Sequence, residues 1–295
     1  MFGWKLTACL QAELRSENMK YGFVLPWGDA RIAAEFACEA EQAGWDGFFV
    51  WEPVWGIDAW VSLAAAAMRT ERIRLGTLLS PLSRMRPWKL ASETATLDNL
   101  SNGRVILSVG LGHLPTGFEE FGEVTDRKTR AELLDEGLEI LTGLWRGQPF
   151  NYNGKHYTVK EIHHFPPPSP VQKPRLPIWV VGAWPRKKSM RRALRYDGLL
   201  PTVSIAEGES RPANINEIRA IRAFIDAERT ECTPFDIIMD GETPGDDQEQ
   251  AVSIVRQWAD AGATWWIETR WDEPRNLSGL EIARKRILQG PPRFE

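Results

Sequence analysis

Apolar positions along the chain follow two alternating rhythms: short apolar runs, and longer stretches with apolar residues three or four apart. The first run, Tyr21–Leu25, predicts a strand. Asp29 can cap the helix that follows, Arg31–Ala43, which sets Ile32, Phe36 and Ala40 on one stripe and stops at Gly44. The same unit then repeats. Strands are predicted at Gly47–Trp51, Arg74–Leu79, Val105–Val109, Ile178–Val181, Gly198–Leu200, Phe235–Met239 and Thr264–Thr269. The matching helices are Ala59–Arg69, a helix opened by Pro87 and closed before Ser101-Asn102-Gly103, then Arg130–Arg146, Lys187–Tyr196, Asn214–Arg229, Asp247–Ala261 and Ser278–Leu288. Residues 148–177 break the rhythm. Pro149, Pro166, Pro167, Pro168, Pro170, Pro174 and Pro177 exclude a long helix or a central strand there, so the segment reads as a loop insertion with a short hairpin around Asn153-Gly154.

Eight strands alternating with eight helices predict a parallel sheet with helical crossovers, and eight is the number that closes into a (β/α)8 TIM barrel. A doubly wound open sheet is the alternative. That fold usually carries a G-x-G-x-x-G turn after its first strand, where this chain reads Leu25-Pro26-Trp27-Gly28-Asp29. The 295 residues fit one barrel of about 250 plus an insertion. Residues 19–295 are therefore read as a single domain, and residues 1–18 as an extension or an upstream start.

Composition removes several function classes. A formal net charge of -4 gives no support for nucleic-acid binding. The three cysteines, Cys9, Cys38 and Cys232, are far apart and odd in number, which suits a reducing cytoplasm. Cys38 falls on the core stripe of its helix and reads as a small buried hydrophobe. No apolar run reaches the ~20 residues of a membrane span. His113, His156, His163 and His164 form no metal-binding spacing, and the His163-His164 pair reads as a solvated loop. No G-x-S-x-G elbow is present.

In a barrel of this kind the site is built at the C-terminal ends of the strands. Gly110-Leu111-Gly112-His113 follows the fourth strand, and its glycines let the backbone approach a planar ligand. A tight turn without a ligand explains it as well. Gly182-Ala183-Trp184-Pro185-Arg186 follows the fifth strand and leads into a helix beginning Arg186-Lys187-Lys188. Cations are unfavourable at that end of a helix unless an anion such as a phosphate binds there; a solvated basic patch is the other reading. Fourteen tryptophans are present, and Trp51, Trp55, Trp184 and Trp271 stand at strand ends, where an indole offers a flat face to a heterocycle. Trp265 and Trp266 read as packing residues. Asp240-Gly241-Glu242 and Arg270-Trp271-Asp272 end the last two strands.

Several spaced motifs resemble one family. They are Ile73-Arg74-Leu75-Gly76-Thr77-Leu78-Leu79-Ser80-Pro81, then Arg86-Pro87-Trp88-Lys89-Leu90-Ala91, then Leu97-Asp98-Asn99-Leu100-Ser101-Asn102-Gly103-Arg104. Val109-Gly110-Leu111-Gly112, Gly122, Arg130, Leu144-Trp145-Arg146-Gly147 and Pro167-Pro168 through Val171-Gln172-Lys173-Pro174 to Pro177–Gly182 follow in order. Together, from Tyr21 to about Val203, they resemble the luciferase-like, flavin-dependent oxidoreductases of the bacterial luciferase superfamily.

The resemblance implies a barrel that binds FMN, or alternatively the deazaflavin F420. It implies a monooxygenase acting on a small organic substrate with reduced flavin and dioxygen, or else an F420-dependent hydride transfer. A flavin reductase and a second copy of the chain are the implied partners. A cis peptide or bulge behind the ring maps to Thr77–Leu78, within one residue, and the phosphate site maps to Gly182, Ala183 and Trp184 with Arg186 and Lys187. Many members follow an acid after the second strand with histidine; here Glu52 keeps the acid and Pro53 replaces the histidine. His113 stands where some deazaflavin members place a glutamate, so His113 and Glu52 are the candidate catalytic residues. Gly110 and Gly112 complete the candidate cofactor contacts. A flavin-binding protein without turnover is the alternative of a different class.

Overall fold

The computed structural model describes residues 19–161, 168–206, 209–231 and 233–294. Cys9, Cys232, His163, His164 and the predicted extension 1–18 lie outside them. Strand and helix alternate as β1 (Lys20–Leu25), α1 (Ala30–Gln42), β2 (Gly47–Val50), α2 (Ala59–Ala67), β3 (Arg74–Thr77), β4 (Ser80–Pro81), α3 (Pro87–Leu100), β5 (Val105–Gly110) and α4 (Arg127–Arg146). A hairpin of β6 (Tyr152–Asn153) and β7 (Thr158–Val159) occupies the insertion. Then come β8 (Ile178–Trp184), α5 (Lys187–Leu194), β9 (Gly198–Ser204), β10 (Ser210–Pro212), α6 (Ile215–Glu228), β11 (Asp236–Gly241), α7 (Gln248–Ala261), β12 (Trp265–Glu268) and α8 (Leu277–Leu288). The chain has the (β/α)8 barrel fold. Among the described residues, no helix is long and apolar enough to cross a membrane.

The chain gathers into two compact units. One comprises the described residues up to Trp27, Glu39–Phe48 and those from Trp179 onward. Within it β8, β9, β11, β12 and β1 run parallel, with Trp179 opposite Gly198, Asp236 opposite Gly198, and Ile238 and Lys20 both opposite Trp265. Because side chains alternate across a strand, Asp236, Ile238 and Asp240 share the face of Trp179 and Trp265. That face is buried at the strand starts. The two indoles meet edge to face at 5.1 Å, and Asp236 accepts from Thr264 Oγ1 at 2.8 Å and from Trp179 Nε1 at 3.3 Å. At the strand ends it opens, and Asp240 is exposed.

The other unit, Gly28–Cys38 with Phe49–Ile178, carries β3 and β4 parallel to β5. Gly76 faces Ile106 and Ser80 faces Val109, so the chain takes four steps where its partner takes three. The extra residue is a bulge at Leu78-Leu79, and the sequence reading of one unbroken strand to Leu79 is corrected accordingly. The peptide between Leu78 and Leu79 is cis, within the one-residue margin of the Thr77–Leu78 position that the resemblance implies.

Two family motifs prove to be one clasp. Asp98 on α3 accepts from the Gln172 backbone N–H at 3.0 Å and from its Nε2 at 2.7 Å; Nε2 also donates to Val105 O at 2.8 Å. Arg74 at the start of β3 donates to Gln172 Oε1 at 3.0 Å. Arg104, just after α3, donates from Nε to Ser101 O and from its terminal nitrogens to Thr70 Oγ1, Ile73 O, Ala67 O and Thr70 O, all between 2.7 and 3.0 Å. The insertion hairpin is held separately. The Glu136 carboxylate of α4 accepts the backbone N–H groups of Lys155, His156 and Tyr157, the shortest at 2.8 Å.

Other boundaries differ for local reasons. The helix expected from Arg130 starts at Arg127 because Asp126 caps it, accepting from Thr129 N at 2.7 Å. β8 continues past Val181 to Trp184. β9 continues past Leu200 through Pro201, and β10 pairs with it antiparallel, Ser210 opposite Ser204. Cys38 is half-buried rather than buried. Trp265 and Trp266 are buried, in keeping with packing roles.

Arg104 satisfies five acceptors with a planar fork that an ammonium cannot reproduce. Arg104→Lys is expected to lower stability by about 3 kcal/mol, measured by urea denaturation, because several buried carbonyls lose their donor. A change within ~0.5 kcal/mol would show that the fork is dispensable.

Candidate active site

The extra residue at Leu78-Leu79 decides where the next side chains point. In a regular strand, residues three apart lie on opposite faces. Here the bulge returns Ser80 to the side of Thr77, and the two hydroxyl oxygens lie 3.1 Å apart. Both residues are fully buried. Thr77 Oγ1 donates onward to Ser108 O at 3.3 Å, while Ser108 Oγ is buried without a partner among the described residues.

Glu52 follows β2 and reaches this cluster. Its Oε2 is in a very short contact with Ser80 Oγ, and its Oε1 lies 3.8 Å from the Arg84 guanidinium. Arg84 donates to Pro53 O at 2.7 Å, so the proline that stands where a histidine was expected serves through its carbonyl. Burial pushes the Glu52 carboxyl up from 4.5 to about 7; the Ser80 hydrogen bond and Arg84 oppose that shift, and Asp58 and Glu93 add to it.

The loop after β5 is fixed from two sides. Arg130 donates to Leu111 O at 3.1 Å and Gly112 O at 3.3 Å, and Ser83 Oγ donates to Leu111 O at 3.2 Å. Gly112 has φ 82°, and a Cβ there would lie 2.6 Å from Phe118 and 2.8 Å from Pro81. Gly110 is buried in register with Pro81. His113 caps the short 3-10 turn Leu114–Thr116 through its backbone, and the residue is exposed, its ring without a hydrogen-bond partner among the described residues. Trp55 and Phe121, 81% and 57% exposed, stack at 6.3 Å.

In the other unit, the turn expected at Gly182–Arg186 is mostly strand. Gly182 is required for packing, since a Cβ would meet Leu199 at 2.3 Å and Met190 at 3.1 Å. The Ala183 N–H donates to Ser189 Oγ at 3.0 Å, and Trp184 packs edge-on against Phe224 at 5.7 Å. What remains for an anion is cationic: Arg186, which donates to Ala206 O at 3.1 Å, and the exposed Lys187 and Lys188, without ion pairs among the described residues. Asp240, placed at a strand end by the sequence but given no role there, lies next to the end of β11 on the face of Trp265, and desolvation holds its carboxyl above the usual range although water reaches it. Its place at a strand end was the one available signal. Among the described residues, no group of three or more histidine, cysteine or acidic side chains could hold a metal ion.

A family model described as luciferase-like monooxygenase matches residues 1–289. The chain belongs to the luciferase-like monooxygenase family. A protein of Mycobacterium tuberculosis is 34% identical over 209 residues, covering 62% of this chain and 72% of that one. The F420-dependent glucose-6-phosphate dehydrogenase of Nakamurella multipartita is 28% identical over 247 residues, covering 77% and 67%. Among solved structures, an F420-dependent secondary alcohol dehydrogenase bound to an F420–acetone adduct superposes with a TM-score of 0.71 at 16% identity, covering 92% and 99%; that likeness is one of fold. Members of this luciferase-like family are oxidoreductases, and this chain's acid, Glu52, stands in the unit that also holds the glycine loop.

The raised Glu52 carboxyl has a consequence for stability. Between pH 4.5 and about 7 the folded protein holds this proton more tightly than the unfolded chain, so stability from Glu52 is full below 4.5 and is lost as pH rises through 7. The span corresponds to on the order of 3 kcal/mol. Glu52→Gln is expected to gain on the wild type by an amount of that order between acidic buffer and about pH 8, measured by urea denaturation. A pH-independent difference would show that Glu52 titrates as it does in the unfolded chain.

Proposed function

We propose that the chain is an oxidoreductase that moves hydride with the deazaflavin F420, using Glu52 to hold and release the accompanying proton. The observation that carries this reading is the Glu52 carboxyl, raised to about 7 and tied to buried hydroxyls at the bulge. A general acid or base works best with a value near the working pH, and hydride transfer to or from a carbonyl or alcohol requires such a group. The 28% identical relative named for F420 supports the cofactor.

The residues present fit such a group. In the unit of Glu52, Ser108 Oγ on β5 is a buried polar atom without a partner among the described residues; in the other unit, taken by itself, Lys187 and Lys188 make no ion pair among the described residues and bring cationic charge to the first turn of α5, which favours an anion. When bound, the deazaflavin supplies a ring carbon that takes up or gives hydride. Glu52 stays neutral or ionised according to which direction of proton movement is needed, and Arg84 stabilises the ionised form. Arg130 and Gly112 hold the loop, so that His113 presents its exposed imidazole for orienting or protonating a small organic substrate. FMN with dioxygen, as a monooxygenase, is the second reading, favoured by the family's own description.

Absorbance titration of the purified protein with F420 and with FMN, separately, distinguishes the two. Saturable binding of F420 with turnover of a carbonyl or alcohol is expected; binding of FMN alone would replace the first reading with the second. Arg186→Glu combined with Lys187→Glu is expected to weaken cofactor affinity at least tenfold, about 1.4 kcal/mol. Unchanged affinity would remove the anion from α5. His113→Gln is expected to lower turnover about 10²-fold with cofactor affinity intact. Wild-type turnover in that variant would release His113 from the site.

A further inference from the structure

A hydroxyl carries one proton, yet Ser80 Oγ has two oxygen neighbours, Glu52 Oε2 and Thr77 Oγ1, the latter at 3.1 Å. Ser80 can donate to only one of them at a time. With Glu52 ionised, the Ser80 proton lies on the carboxylate, and the Thr77 proton lies on Ser108 O, 3.3 Å away. With Glu52 neutral, the carboxyl proton lies on Ser80 Oγ, the Ser80 proton turns to Thr77 Oγ1, and Thr77 keeps its bond to Ser108 O. Both arrangements leave every member of the chain paired. They differ by the one proton on the Glu52 carboxyl and by rotation of the Ser80 hydroxyl about its Cβ–Oγ bond, with no displacement of a heavy atom. A lysine at position 80, which can only donate, would serve the anion and leave the protonated carboxyl without an acceptor.

We propose that Ser80 is a positioning residue that turns its proton between Glu52 and Thr77, so that Glu52 gives up and regains its own proton inside a fixed frame. This rests on the reading of Glu52 as the acid of the site. The charged and titratable groups acting on Glu52 are Arg84 at 3.8 Å, which favours the anion, and Asp58 and Glu93, which disfavour it. The hydroxyl chain is set against this fixed background. It predicts that its two members act on Glu52 with opposite signs. Removing the Ser80 hydroxyl removes the charge-assisted bond to the anion, so the neutral form gains. Removing the Thr77 hydroxyl leaves the Ser80 proton without an acceptor when Glu52 is neutral, so the anion gains.

The test is the pH titration of the Glu52 carboxyl C=O stretch by infrared difference spectroscopy on the whole chain without cofactor, with Glu52→Gln identifying the band. Ser80→Ala is expected to move the midpoint up and Thr77→Val to move it down, each by about tenfold in proton affinity. Ser80→Thr, which keeps the hydroxyl, is expected to restore the wild-type midpoint. A band near neutrality in the wild type that moves the same way, or not at all, in Ser80→Ala and Thr77→Val would overturn the role of Ser80 and leave Glu52 as the acid. A wild-type band that titrates near 4.5, the ordinary carboxyl value, would overturn both. Because the band is read in folded protein, a variant that is merely less stable still gives a midpoint.

Discussion

The site depends on a single surplus residue. β3 and β4 would be one straight strand if they matched β5 step for step, and Ser80 would then face away from Thr77. The bulge at Leu78-Leu79 turns the chain so that a serine, a threonine and the end of β2 converge on one buried carboxyl. Burial makes that carboxyl reluctant to ionise, and the short polar chain keeps the reluctance moderate instead of complete. The chemistry proposed for Glu52 follows from this balance between desolvation and hydrogen bonding.

Much of this was legible in the sequence. The two rhythms gave every helix of the barrel, and the caps at Asp29, Asn214 and Asp247 lie where polar residues precede apolar stripes. The same patterning could not show the bulge, because Thr77 through Pro81 reads as a continuous apolar and hydroxyl run whichever way Ser80 faces. The family resemblance placed a cis peptide or bulge there within one residue, and the register against β5 shows the extra residue. The family motifs carry structure: Asp98, Arg104 and Gln172 hold helix, strand and insertion together. Gly182, read as an opening for a phosphate, is a packing glycine, since Met190 and Leu199 leave no room for a Cβ. A glycine in sequence announces close approach, and cannot say whether the approaching atom belongs to a ligand or to the next helix.

Division of labour between rigid and variable parts is visible in the same unit. Arg130 and Gly112 fix the loop after β5 close to the barrel strand, whereas Trp55 and Phe121 project farther out with most of their surface in water. The fixed part holds His113 and lies in the same unit as Glu52. The outer aromatic pair presents flat apolar surface to water.

The clasp between Asp98 and Gln172 has a bearing on how the polypeptide is made. Its two halves are separated by 74 residues. At ribosomal elongation rates of about 5–20 residues per second, the glutamine emerges roughly 4 to 15 s after its acceptor. During that interval α3 is already available to pack, but its aspartate lacks the two donors that Gln172 brings. Vectorial synthesis thus leaves the growing half-barrel unlatched until the proline-rich segment has left the exit tunnel, and gives that segment a part in the timing of biogenesis.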